Sequence, residues 1–408
     1  MFQFSMYLNK IVFMKNFYNP LRIICLAIAL PFIQCKEVDK KENQTNKSSN
    51  STDNMIITKS QFGVTAEGDS IQKFTISHAS GLEMSVINYG GIITNLKVPN
   101  KQGVYEDVVL GFNNIQDYES ENPYFGALIG RYGNRIAKGT FSLEGKVYTL
   151  DINNEPNSLH GGEKGFDKAF WKIETEEGGK QASLILTYTS KDGEGGFPGN
   201  LETTVRYTLN NENELHIKYE ATTDKKTVIN LTQHSYFNLS ANFDKKILDH
   251  IVEINADKFL PVTETLIPTG ELRPVSGTPF DFTKPVAISR GMEQLDFNKQ
   301  LKIGPGFDHC WVLNDPDSGL RFAASAYDPD SGRFMEVLTT EPAMQFYIGN
   351  FLDGTLKAKG GGTYKQRTGF CMETQHYPDS PNQSDFPSTI LEVGETYKSE
   401  TLYKFSVK

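Results

Sequence analysis

The sequence predicts an all-β protein, a sandwich of many antiparallel strands with a few short helical turns. Three observations carry this. Short runs of β-branched and aromatic residues recur, several with alternating polarity. Stretches rich in Gly, Asn and Pro separate them. No segment keeps a helical period over a useful length.

In chain order, Phe74-Thr-Ile-Ser-His78 and Met84-Ser-Val-Ile-Asn-Tyr89 read as strands, and Gly90-Gly91 breaks the second. The next strand runs from Gly91 to Pro99. Asn114–Glu119 suits a short helical turn. Phe141–Leu150 reads as a hairpin with Glu144-Gly145 at its tip. Ala182–Tyr188, Thr203–Leu209 and Glu214–Ala221 continue the strand pattern, and the glycines of Asp192–Gly199 mark a turn between them. A second helical turn fits Gly291–Leu295. No linker and no repeat interrupts 57–408, so one domain is expected there.

The chain has 408 residues, 12% aromatic and 22% charged, which is a globular composition with ample length for a large core. Its net charge of −9 speaks against nucleic acid as a partner, because phosphate binding needs a basic surface. Lys15 and Arg22 precede an apolar run, Ile23–Ile33. That run is too short for a bilayer, which takes about 20 residues, and fits the core of a secretory signal. Met14-Lys15 would be a more typical start for such a signal than Met1. Residues 36–56 are polar and charged and read as a disordered tether. Cys310 and Cys371 sit in apolar runs and are expected to be buried small hydrophobes, not a disulfide framework. The spacing of Cys and His offers no transition-metal motif.

Three segments carry the chemistry. Glu373, in Phe370-Cys-Met-Glu-Thr-Gln-His376, is a carboxylate in a run from Gly369 to Pro378 that has no Lys or Arg of its own. Such a group is paired with a distant cation, for which Arg135 is available, or it is used. Partial burial would raise its pKa towards neutrality, where a general base works best. His234 lies in Leu231-Thr-Gln-His-Ser-Tyr-Phe-Asn238. On a strand, His234, Tyr236 and Asn238 would share one face and line a wet cleft, opposite Gln233, Ser235 and Phe237. His160 stands before Gly161-Gly162, on a loop expected to let another molecule approach its backbone. Asp308, followed by His309 and close to Trp311, could accept bonds from sugar hydroxyls beside a stacking ring, or simply begin a strand. Gln345 and Asn350 are amide candidates of the same kind. One base, two imidazoles, one guanidinium and many amides suggest proton transfer on a neutral, hydroxyl-rich substrate.

Together these segments resemble the aldose 1-epimerase (mutarotase) family. The resemblance rests on Gly130-Arg-Tyr-Gly-Asn-Arg-Ile-Ala-Lys-Gly139, Asn157-Ser-Leu-His-Gly-Gly162, Gly165-Phe-Asp-Lys168 with Trp171, and Asn230–Leu239. Gly306-Phe-Asp-His309, Gln345–Thr355 and Glu373-Thr-Gln-His-Tyr-Pro-Asp379 complete it, in family order across nearly all of 60–408. The resemblance implies a large antiparallel β-supersandwich of the galactose mutarotase type and an isomerase that interconverts the anomers of free hexoses. It assigns Glu373 as general base, His234 as general acid, and His160 with Arg135 as groups that hold the sugar and stabilise charge. Asn134, Ser235, Tyr236, Asp308 and Gln345 would bind the remaining hydroxyls. Gly360–Gly369 looks like a local loop variant able to reshape the cleft mouth.

The chemistry needs no redox step, so no cofactor is required. Some members of the family are associated with calcium, but no EF-hand-like loop supports it here. A glycoside hydrolase usually wants two carboxylates flanking the bond, with Asp308 the available second. A non-catalytic sugar binder has no need of a matched acid and base, and a phosphosugar enzyme would want more cations than Arg135. The run ending at Cys35 also resembles a bacterial lipoprotein signal. That implies a signal at 1–35 and lipid on Cys35, ahead of the tether at 36–56 and a catalytic domain at 57–408, with export to the periplasm or cell envelope; nothing in the sequence calls for more than a monomer.

Overall fold

The computed structural model describes residues 53–408. The expected signal at 1–35, Cys35 and most of the tether lie outside the described residues. The fold begins before position 57: Met55 is buried, its N–H donates to the Gly179 carbonyl, and the first strand is Ile56–Val64.

Two five-stranded antiparallel sheets and one nine-stranded sheet carry the architecture. The first holds Ile56–Val64, Ser70–Ser77, Glu83–Ile87, Ile93–Pro99 and Tyr105–Asp107 in chain order. A nine-stranded sheet begins with Lys172–Gly178, Gln181–Ser190, Leu201–Asn210 and Glu214–Thr223. Tyr397–Val407 comes next, then Arg333–Thr339, Arg321–Tyr327, Ile251–Ile254 and Val286–Ala287. The strand latest in sequence therefore sits in the middle, paired with Glu214–Thr223 on one side and Arg333–Thr339 on the other. A five-stranded sheet runs Arg273–Pro274, Lys258–Leu260, Asp308–Val312, Ala343–Tyr347, Cys371–Gln375.

The alternation of strand side chains explains how this last sheet serves both the cleft and the core. Asp308 pairs with Tyr347 and Tyr347 with Cys371; Cys310 pairs with Gln345 and Gln345 with Glu373. Paired residues in antiparallel strands share a face, so all six line one side. The opposite side carries His309, Trp311, Phe346, Met372 and Thr374 into the core. There Thr374 and Thr401 hydroxyls lie 2.6 Å apart, and the Tyr403 hydroxyl donates to the Met372 carbonyl. These bonds fasten the Glu373 strand to the centre of the nine-stranded sheet.

The expected strands and the Phe141–Leu150 hairpin are present, the hairpin as Thr140–Leu143 and Lys146–Thr149. The first helical turn is Ile115–Glu119, capped by the Asn114 side chain. The second lies earlier than expected, at Ile288–Met292, and a third, Lys299–Ile303, was not foreseen. Its N-cap is Asn298, whose side chain accepts from the Gln300 and Leu301 amides. The strand expected around His234 is only Thr232–Gln233, paired with Leu128–Ile129. Cys310 and Cys371 are free and buried, as expected.

Candidate active site

A cleft of about 490 Å³, measured to its open mouth, collects most of the predicted residues, a size that suits a small ligand. Its walls are Pro123, Tyr124, Asn134, Arg135, Leu159, His160, His234, Tyr236, Asp308, Tyr347, Phe351 and Glu373. Glu373 comes from the sheet face described above. His234 is held by its backbone, whose N–H donates to Ala127 and whose carbonyl accepts from Gly126.

Asn134 and His160 lock to each other. The His160 N–H donates to the Asn134 carbonyl, and the Asn134 N–H donates to His160 Nδ1 at 3.1 Å. Both residues take left-handed backbone angles, φ 65° and 55°, a region that Asn and His tolerate better than most. A ring nitrogen that accepts an amide proton carries none, so the His160 proton sits on Nε2. His160 thus offers the cleft a hydrogen-bond donor. His160, His234 and Glu373 are close enough for a metal-type cluster. With its proton on Nε2, however, His160 has no lone pair there to give a cation.

The reactive pair is Glu373 and His234. Oε1 lies 3.5 Å from Nε2, both side chains are buried, and Oε2 has no partner. Burial holds the Glu373 carboxyl well above the usual range; Asp308 adds to this and Arg135 opposes it. Burial lowers the His234 imidazole to about 4. The two shifts run the same way: both favour a neutral carboxyl beside a neutral imidazole. Burial also takes His160 well below its ordinary value, helped by His234 and Arg135, so this ring is neutral. Arg135 Nε donates to Asn154, and a terminal nitrogen lies 4.0 Å from Asp308. The other Asp308 oxygen accepts from Gln345 Nε2 at 2.6 Å, leaving the Gln345 oxygen unpaired.

Of the nine predicted site residues, seven line the cleft and two do not. Gln345 reaches it only through Asp308. Ser235 does not line it: His234 and Tyr236 face the cleft, so the residue between them points elsewhere, and its hydroxyl is buried without a partner. Four further expectations need correction. Asn238 is fully buried and gives its amide to the Asn242, Lys245 and Thr368 carbonyls. Asn350 donates to the Phe307 carbonyl. Trp311 faces the core, its indole bonded to Phe280. What approaches Gly161 is the chain itself: a Cβ there would lie 2.1 Å from the Gly130 carbonyl oxygen. The Gly360–Gly369 loop contributes nothing to the walls.

Sequence reasoning missed the aromatic walls. Tyr124, at φ 63°, sets its ring edge-on to His160 at 4.7 Å and 5.8 Å from His234. Opposite, Tyr347 stacks on Phe351, which is 57% exposed at the rim. Tyr347 had a signal, since it follows Gln345 by two on one strand; Tyr124 sits in a loop and had none.

Comparison with known proteins agrees with this arrangement. The aldose 1-epimerase family model matches residues 72–404. Human galactose mutarotase is 47% identical over 352 residues, covering 86% of this chain and 99% of that protein. Aldose 1-epimerase of Escherichia coli K12 is 35% identical, covering 83% and 96%. Among solved structures, galactose 1-epimerase from Lactobacillus acidophilus superposes with a TM-score of 0.75 at 29% identity, covering 86% and 99%. A Caenorhabditis elegans aldose epimerase homologue gives 0.74 at 30%, covering 82% and 98%. A buried carboxyl 3.5 Å from a buried imidazole in a cleft of this size, on this sheet, with these matches along nearly the whole fold, leads to one assignment: the chain belongs to the aldose 1-epimerase family.

Proposed function

We propose that this isomerase interconverts the α and β anomers of free hexoses such as D-glucose and D-galactose by acid–base ring opening and reclosure. The observation that carries the reading is the Glu373–His234 pair: two buried proton carriers 3.5 Å apart at the floor of the cleft, with one carboxyl oxygen unclaimed.

The active form of the pair is carboxylate and imidazolium, reached by moving its single proton across to Nε2. Sugar hydroxyls and Arg135 favour that form by supplying donors and positive charge to the carboxylate. Glu373 then takes the C1 hydroxyl proton while Nε2–H protonates the ring oxygen. The C1–O5 electron pair goes to O5, and C1 becomes an aldehyde. Rotation about C1–C2 presents its other face, and the two transfers run in reverse. The pair ends with the one proton it began with. His160 Nε2–H and Arg135 steady the oxygens as charge shifts between them. Asn134, Tyr236 and Asp308 take the outer hydroxyls, with Gln345 behind Asp308. No electron changes hands, so the reaction calls for no redox cofactor, and calcium has no role in these steps.

Polarimetry of freshly dissolved α-D-glucose and α-D-galactose tests this. Acceleration by the purified protein, lost in Glu373→Gln and His234→Asn, supports it; binding of a sugar with no acceleration sinks it in favour of a sugar-binding protein. We also infer a monomer, exported and held at the cell envelope by lipid on Cys35. The apolar run before that cysteine supports the anchor. Labelled palmitate that enters the protein and Cys35→Ala alike would refute it, and so would a dimer by light scattering for the monomer.

A further inference from the structure

We propose that Cys371 is a positioning residue for His234: its sulfur accepts the Nδ1 proton, and so leaves Nε2 as the nitrogen through which the reaction's proton comes and goes. This rests on the acid–base reading above. Cys371 and Glu373 are two apart on one strand and share its face. The sulfur lies 3.6 Å from His234 Nδ1, and Glu373 Oε1 lies 3.5 Å from Nε2. One strand thus holds both nitrogens of one imidazole.

The ring's other neighbours set its plane but not its tautomer. Tyr236 stacks on it at 5.2 Å, His160 meets it edge-on at 5.1 Å, and the Tyr124 ring lies 5.8 Å away. Among the described residues, Cys371 is the side chain within hydrogen-bond reach of Nδ1; a backbone bond of His234 also favours the charged ring. Acid catalysis through Nε2 requires Nδ1 to keep its proton in every state of the cycle. If that proton wandered to Nε2 in the neutral ring, the lone pair would point away from the sugar and the reverse transfer would fail.

The choice of sulfur has a reason. Burial keeps Cys371 a neutral thiol, with Glu373 and Asp308 adding to the shift. A neutral thiol is a weak donor and a weak acceptor, and toward an Nδ1–H it accepts. It fixes the tautomer without stabilising the imidazolium as a carboxylate would. The imidazolium therefore stays a strong acid, suited to a weakly basic ring oxygen.

The test uses the full-length protein with Cys371→Val, which refills the space without an acceptor, Cys371→Ser, which restores one, and Cys371→Ala. Nitrogen-15 NMR of His234 reads the tautomer directly. The expected result is a predominantly Nδ1–H ring in wild type and Cys371→Ser, and a mixture in Cys371→Val and Cys371→Ala. With the mixture, kcat falls by about tenfold, the scale of one ordinary hydrogen bond, while KM stays within about twofold. Wild-type kcat and tautomer in Cys371→Val overturn the proposal, since the contact would then be packing alone. His234→Asn and Glu373→Gln are measured beside them. If those two keep the wild-type rate, the acid–base reading itself fails; if they collapse while Cys371→Val does not, only the positioning role fails.

Discussion

Two histidine–carboxylate pairs draw on one short segment, and they behave oppositely. In the cleft, His234 and Glu373 stand 3.5 Å apart, the imidazole is driven down and the carboxyl up. Three residues on, His376 Nδ1 meets Glu341 at 2.6 Å. Burial works against both of these charges as well. Here Glu341 wins and raises the imidazole, while His376, Ser399 and Tyr397 hold the carboxyl below its ordinary value. The difference is in the accounts of the carboxylate oxygens. Both Glu341 oxygens have partners, His376 and the Tyr397 hydroxyl, whereas Glu373 keeps one oxygen buried and unclaimed. The first pair is a finished ion pair; the second is unfinished, and a substrate can complete it.

The largest effect that would break this contrast is catalytic. Glu373→Gln and His234→Asn should each cut kcat by ~10²–10⁴-fold. A variant that keeps about a tenth of the wild-type rate would deny its residue the role of proton carrier. Next comes stability. Glu341→Ala should destabilise by on the order of 2 kcal/mol in urea titration and leave kcat of the folded enzyme within a few-fold. That is below the ~3–5 kcal/mol of a fully buried pair, because the His376 side chain is 23% exposed. An unchanged midpoint would mean that the His376–Glu341 pair contributes nothing to stability.

Acidity sharpens the contrast further. His376 has a raised folded pKa, so its contribution is fully present below the ordinary 6.5 and is lost as pH rises through the folded value. Glu341, depressed below 4.5, contributes above that value and loses its contribution as pH falls through its folded pKa. His234 has the opposite sign to His376. The unfolded chain binds its proton below 6.5 and the folded protein only near 4, so stability falls as pH drops across that window. Urea midpoints from pH 4 to 9 should therefore lose an alkaline slope in Glu341→Gln and an acid slope in His234→Asn. Equal curves for wild type and both variants would contradict these shifts. The smallest expected effect is at the rim: Phe351→Ala should raise KM a few-fold and leave kcat alone, as lost contact area without lost proton transfer. A fall in kcat at constant KM would instead place Phe351 in the reaction itself.

Much of this was legible in the chain. Strand alternation gave the β architecture and placed Glu373 and His234 as polar groups in apolar company. It could not say which buried amides serve a substrate and which serve the backbone. Asn238 and Asn350 resemble Asn134 in their surroundings, yet each spends its donors on carbonyls of neighbouring loops. Nor could it separate wall from core among many aromatics: Trp311 and Tyr347 belong to paired strands, and only the face each takes decides its fate. Ser235 shows the same rule from the other side, since alternation turned it away from the cleft and the family pattern alone suggested otherwise.

The place of Tyr397–Val407 at the centre of the nine-stranded sheet has a consequence for biosynthesis. Four strands wait on one side of it and four on the other, and the Glu373 strand is bonded to it through Thr401 and Tyr403. A growing chain can form the flanking hairpins early, but cannot join the halves until residue 407 has cleared the ribosome. Until then two unpaired strand edges stay open to other chains. Emergence of this strand is thus the event that closes the sheet and assembles the catalytic floor, and a chain broken before Tyr397 would yield an aggregating fragment in place of a weakened enzyme.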